Sequence, residues 1–268
     1  MKPKKIVDFH VHAFADKIAV KAAANLTNYY HMPLVGDGKF DTILKRAKDA
    51  GVDKMVIHAV ATKAEQTTVI NNYVHEVLKS YPDHIIAFAT IHRDFDDYKA
   101  ELKRIKELGL CGIKLHSVFQ NFNIDDDKMM FIYEEIVKND LPILFHMGDR
   151  TVDLASPKRL ARVLDKFPEM RAVAAHMGGV FSWEESMEYL VGRNVYFDTS
   201  STLFELEDSM FLKMLHAHGT NKVMFGTDYP LSDYEHEFDR FARLNLTQEE
   251  TDKIFYKNAY CFLRLKSE

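Results

Sequence analysis

The chain has 268 residues, 47% of them hydrophobic and 28% charged, with a formal net charge of -5. That is the balance of an ordinary globular protein, and the length suits one large domain. The mild acidity offers no positive field for nucleic acid or an anionic membrane, and no run approaches the roughly 18 apolar residues of a membrane span, so neither partner is expected.

The basic segment 1–5 is followed closely by Asp8 and His10 with no apolar stretch between. No secretory signal is expected, and the expected location is the cytoplasm. Short apolar runs rich in Val, Ile and Phe then alternate with helical patterns. The runs at residues 5–12, 54–60, 85–91, 112–116, 142–146, 172–176, 195–198 and 222–225 read as strands. Residues 14–40 depart from the alternation. Their pattern predicts a helix near 16–29 and a turn at Gly36-Asp37-Gly38, together an extended loop over the active face. Further on, Phe95, Tyr98, Leu102 and Ile105 form one apolar stripe. Met129, Ile132, Tyr133, Ile136 and Val137 form a second, and Leu160, Val163, Leu164 and Phe167 a third. Asp125-Asp126-Asp127 and Ser156-Pro157 mark helix starts, and Gly51, Gly109 and Gly219 mark helix ends. Thr247 with Glu250 is a capping box that opens one closing helix over 247–265. Cys111 and Cys261 stand in apolar surroundings and read as small buried side chains without a disulfide.

Apolar strands alternating with helices indicate a parallel sheet covered by helices. Eight such units in this length are the arithmetic of a closed (β/α)8 barrel, read as a single domain over 1–268. A doubly wound sheet would carry a glycine-rich phosphate turn after the first strand, and Ala13-Phe14-Ala15-Asp16 cannot serve as one.

The first strand carries Asp8-Phe9-His10-Val11-His12. Residues two apart on a strand face the same side, so His10 and His12 project together. Such a pair suits a divalent ion of borderline softness, although an isolated pair reads more readily as packed core histidines. It is not isolated. His116, His146 and His176 end strands, and Asp228 follows the eighth. The strands of a barrel all end at one mouth, so topology alone gathers His10, His12, His146, His176 and Asp228. His31, His75, His216, His218 and His236 fall on helices and loops and read as structural or surface residues. His58 reads as packed and hydrogen-bonded, and His92 is a candidate substrate contact. Trp183 reads either as a pocket wall or as a staple for a helix.

Taken together, DFHVH, GIKLH (112–116), FHMG (145–148), AHMGG (175–179) and FGTDYP (225–230) resemble the amidohydrolase superfamily. Within it the chain is most similar to the amidohydrolase-related group that includes aminocarboxymuconate semialdehyde decarboxylase. The resemblance spans nearly the whole chain. It implies that His10, His12, His146 and Asp228 hold one divalent ion, zinc or else manganese, and that Asp228 also handles protons. It implies that His176 orients the attacking water without binding the metal. Lys114 stands where binuclear members place a carbamylated lysine, but the GIKLH context resembles the mononuclear branch.

A bound zinc ion can lower the pKa of water from 15.7 to about 7, which makes a nucleophile available at neutral pH. The expected activity is therefore metal-dependent hydrolysis of a C–O or C–N bond in a small, carboxylate-bearing molecule. Lys114, His116 and Arg150 are the candidates to hold its negative charge, though Arg150 reads equally as a surface salt bridge. Non-oxidative decarboxylation of an aromatic or unsaturated acid on the same site is the alternative. Relatives of this kind are often homodimers.

Overall fold

The computed structural model describes residues 3–266. Its strands are β1 (Val7–His12), β2 (Lys54–His58), β3 (Ile85–Ala87), β4 (Ala89–Thr90), β5 (Ile113–Leu115), β6 (Ile143–Phe145), β7 (Ala172–Ala174), β8 (Tyr196–Asp198) and β9 (Val223–Met224). They fall on the expected runs, with the run at 85–91 divided between β3 and β4. His116, His146 and His176 lie one or two positions past their strands. The chain forms two compact units, one of Met1–Ile57, Asp83–Ile85 and Asp198–Glu268, the other of His58–Pro82 and Ile86–Phe197.

In the first unit, β1 is held on both sides. Lys54 N donates to Ile6 O (3.2 Å) on one side, and Phe9 N donates to Phe225 O (2.8 Å) on the other. Val7, Phe9 and Val11 take one face of the strand, and Phe9 meets Phe262 edge-on at 5.7 Å. Asp8, His10 and His12 take the other face. Phe225, just past β9, stacks on Phe255 at 4.6 Å and meets Phe241 at 5.7 Å in a buried aromatic cluster. The segment 14–40 forms a helix at Asp16–Tyr30 and a turn in which Gly38 has φ 75°. A second helix, Phe40–Ala50, follows, the one whose end Gly51 was expected to mark. It ends at Gly51 in the left-handed conformation that glycine adopts without a Cβ penalty.

The expected closing helix is interrupted. Helices Gln248–Asp252 and Asn258–Leu263 flank a π-helical turn at Lys253–Lys257. The cause is tertiary. Phe225 N donates to Ile254 O (2.8 Å), and Asn258 Nδ2 donates to Val223 O (2.7 Å). A helix carbonyl taken by an outside partner favours a local wide turn. The capping box at Thr247 and Glu250 is present.

In the second unit, β4 to β8 pair in parallel and in chain order. The registers are Thr90↔Lys114, Lys114↔Leu144, Leu144↔Val173 and Val173↔Tyr196. Helices Tyr98–Glu107, Asp127–Lys138, Pro157–Lys166 and Trp183–Tyr189 stand between successive strands. The residues of β5, β6 and β7 are buried on both faces, as a helix-covered parallel sheet requires. Phe88, which separates β3 from β4, lies against Gly112. A Cβ at position 112 would come within 2.5 Å of its ring, so this strand neighbour must be glycine.

Both cysteines are free and exposed rather than buried. Cys111 lies in the approach to β5, where Gly112 and Ile113 take the inner positions, and Cys261 faces outward while Ala259 and Phe262 turn in. Among the described residues no helix is long and apolar enough to cross a membrane.

Phe225→Ala opens a cavity in the aromatic cluster and is expected to lower the unfolding free energy by about 3–5 kcal/mol. Thr247→Ala removes one cap and costs about 1 kcal/mol. Urea unfolding of both variants checks the ranking, and equal losses would contradict it.

Candidate metal centre

In the first unit the register of β1 aims Asp8, His10 and His12 the same way. The loop leaving β9 folds back over them. Asp228 N donates to His10 O (2.9 Å), which carries the Asp228 carboxylate across the strand. Its Oδ1 lies 3.3 Å from His10 Nε2 and 3.1 Å from His12 Nε2. Its Oδ2 accepts from Ser201 Oγ at 2.5 Å. Gly226 makes the close approach feasible, because a Cβ there would stand 2.9 Å from His10 Cβ and 3.3 Å from Ser200 Cβ.

The protons on His10 can be assigned from its neighbours. Nδ1 lies 2.8 Å from Asp198 Oδ2, and a carboxylate only accepts, so Nδ1 carries the proton. Nε2 then presents a lone pair toward Asp228 Oδ1. Two electron-rich atoms at 3.3 Å repel unless positive charge lies between them, either a further proton or a cation. Two imidazole nitrogens and a carboxylate oxygen converging on one point are the donor set of a borderline divalent ion.

The surroundings hold this arrangement. Asp8 is fully buried and accepts from Thr227 Oγ1 (2.7 Å), Thr227 N (3.0 Å) and His10 N (3.1 Å). Burial pushes its carboxyl up to about 7, against those hydrogen bonds. Asp228 and Ser201 have φ values of 62° and 45°, a region that non-glycine residues adopt at a cost, and such strain persists only where surrounding bonds fix it.

The second unit presents its own histidine cluster. His146 Nε2 donates to Gly148 O at 3.0 Å, so Nδ1 carries the ring's lone pair. That atom faces His176 Nε2 at 3.0 Å. The His146 ring stacks on His116 at 3.7 Å, and His116 stacks in turn on Phe119 at 4.0 Å. His176 and Met177 have φ values of 61° and 52°. Trp183 Nε1 donates to His176 O (3.0 Å) and Ser186 Oγ donates to Met177 O (2.8 Å). Trp183 is therefore a staple for the His176 turn. Lys114 is fully buried in the middle of β5. His116 caps the short helix Ser117–Gln120, with Nδ1 accepting from Phe119 N at 3.4 Å. The exposed Arg150 lays its guanidinium 3.8 Å over the Phe181 ring.

His58, His92 and the five histidines read as structural are placed as follows. His75 Nδ1 lies 2.8 Å from Leu108 O, His216 pairs with Glu250 and His236 with Asp233. His31 ends a helix in the left-handed conformation, and His218 is buried on the helix Asp208–His218. His58 is buried as the last residue of β2. His92 is buried, accepts from Asp94 N at 3.1 Å, and has its pKa lowered chiefly by burial.

Sequence reasoning missed Asp198, Ser200, Ser201 and the Asp8–Thr227 lock. The run Asp198-Thr199-Ser200-Ser201 ends the seventh expected strand, so the end-of-strand rule that picked out the histidines could have found it.

The chain matches the Amidohydrolase family over residues 7–265 and belongs to it. Like the other members of that superfamily, it is an enzyme. It is 23% identical over 257 residues to Deoxyribonuclease Tat-D of Schizosaccharomyces pombe, covering 89% of this chain and 79% of that protein. Among solved structures, the uncharacterised TIM-barrel protein Bb4693 of Bordetella bronchiseptica has a TM-score of 0.78 at 19% identity, over 97% of this chain and 98% of that one. A dihydroxybenzoic acid decarboxylase of Polaromonas sp. JS666, solved with manganese and 2-nitroresorcinol, has a TM-score of 0.73 at 15% identity, over 98% of each chain. The fold is the (β/α)8 barrel expected from the strand count.

Near the Asp228 loop, Glu237 is buried and accepts from Ser232 Oγ at 2.6 Å, with Arg240 beside it. Burial raises its pKa from 4.5 to about 7, against Arg240 and Ser232. A raised pKa in the folded state contributes stability below 4.5 that is lost as the pH climbs through 7. Glu237→Gln is therefore expected to gain stability relative to the parent between about pH 5 and 8. Urea unfolding across that range checks it, and a difference that does not change with pH would contradict it.

Proposed function

We propose that this enzyme is a metal-dependent hydrolase that cleaves a C–O or C–N bond in a small, carboxylate-bearing molecule. The observation that carries the reading is the His10 Nε2 lone pair set 3.3 Å from Asp228 Oδ1, with His12 Nε2 at 3.1 Å from the same oxygen. That arrangement calls for positive charge between them, which a divalent ion supplies. His146 is proposed as a further ligand through Nδ1, its lone-pair nitrogen, which faces His176 Nε2 at 3.0 Å.

A divalent ion supplies Lewis acidity toward a carbonyl and acidifies water. Zinc is the first choice, and manganese, present in the Polaromonas decarboxylase structure, is the other. Asp228, fixed by Ser201 through Oδ2, would accept the proton of the attacking water and return it to the leaving group. His176 would hydrogen-bond the attacking water or the developing oxyanion. Lys114, His116 and Arg150 receive the substrate carboxylate, with Arg150 pre-oriented by its stack on Phe181. A net charge of -5 provides no field for DNA phosphates, so the substrate named for Tat-D is not carried over. The likeness to the decarboxylase favours a second reading, loss of CO2 from an aromatic or unsaturated acid on the same residues.

Turnover assayed on lactones, amides, esters and carboxylated aromatics, with CO2 release followed in parallel, separates the two readings. Chelation is expected to abolish turnover, and zinc or manganese to restore it. His10→Ala and Asp228→Ala are expected to lose both metal and activity. His176→Ala is expected to keep the metal and lose activity, and an emptied site in that variant would overturn its assigned role.

A further inference from the structure

The residues that grip His10 from behind are Asp198 and Ser200. Nδ1 of His10 lies 2.8 Å from Asp198 Oδ2 and 3.0 Å from Ser200 Oγ. The Ser200 hydroxyl proton is already directed elsewhere, to Asp198 Oδ1 at 2.5 Å. Ser200 N donates to the same Oδ1 at 3.2 Å. Both neighbours of Nδ1 are therefore acceptors. His10, Asp198 and Ser200 are all 0% exposed, so no bulk water can stand in for any of them.

We propose that Asp198, seated by Ser200, is a positioning residue that fixes His10 in the Nδ1–H tautomer and so dedicates Nε2 to the metal. This rests on the reading that His10 is a metal ligand, and it names what makes it one. In the opposite tautomer the Nδ1 lone pair would face two oxygen lone pairs. Nε2–H would then point at Asp228 and occupy the place of the ion. The carboxylate behind the ring also raises the basicity of Nε2, which strengthens it as a ligand. Gly226 belongs to the same device. A side chain there would press on His10 Cβ and Ser200 Cβ together, so the glycine keeps ring and hydroxyl in register. Ser200 deepens the role, because its backbone and hydroxyl bonds hold Asp198 Oδ1 and leave Oδ2 aimed at the ring.

The test combines spectroscopy of the metal-free protein with Zn2+ titration against a chelating dye. In the parent, histidine 15N shifts are expected to show His10 protonated at Nδ1. A proton on Nε2 instead would overturn the proposal without any variant. Asp198→Asn keeps the shape but lets an amide donate toward Nδ1. It is expected to shift the tautomer and weaken Zn2+ binding by roughly 10–100-fold. Ser200→Ala, the milder change should Asp198→Asn fail to fold, is expected to move the same 15N signals and to weaken binding less. A purely structural role would lower the melting temperature of the metal-free protein and leave the tautomer and Zn2+ affinity in place, which would also overturn the proposal. If the parent itself binds no Zn2+ or Mn2+, the functional reading fails, whereas a parent that binds and an Asp198→Asn variant that binds equally well sink only the positioning role.

Discussion

The site depends on one electrostatic demand. A carboxylate oxygen of Asp228 is held against the ring nitrogens of His10 and His12, and the buried ring of His10 has already placed its proton on the far side. Nothing electron-rich stays at 3.3 Å from another electron-rich atom in a buried setting without positive charge to bridge them. The surrounding bonds make sense as devices that sustain that arrangement. Ser201 restrains one oxygen of Asp228, Asp198 and Ser200 restrain the back of His10, and Asp8 ties the base of β1 to Thr227.

Backbone geometry supports the same demand. The loop after β9 takes a left-handed residue at Asp228, which costs on the order of 1–3 kcal/mol and is repaid by the bonds from Asp228 N to His10 O and from Leu231 N to Asp228 O. The His176 turn in the second unit follows the same rule, with Trp183 and Ser186 fastening two consecutive left-handed residues by their carbonyls. The strained positions at Asp228 and His176 coincide with polar side chains singled out for chemistry, where a fixed direction matters more than local comfort.

Much of the fold was legible because a strand buried on both faces needs an unbroken apolar run, which stands out against the helical spacing around it. The histidines at strand ends were legible because a barrel converts sequence position into spatial position. What escaped was set by contacts remote in sequence. The break at Phe88 follows from its ring lying over Gly112, and the π turn at Lys253–Lys257 from the call of Phe225 N on Ile254 O. Asp198 and Ser200 read as turn residues until the back of His10 is seen beside them. The cysteines misled for a related reason: an apolar neighbourhood in sequence does not say which side of a helix or strand approach a given residue occupies.

The most direct test is anomalous diffraction or X-ray absorption at the metal edge on protein loaded with zinc or manganese. The account predicts an ion ligated by Nε2 of His10, Nε2 of His12 and Oδ1 of Asp228. An ion seated away from these atoms, or a His10 ring bound through Nδ1, would contradict it.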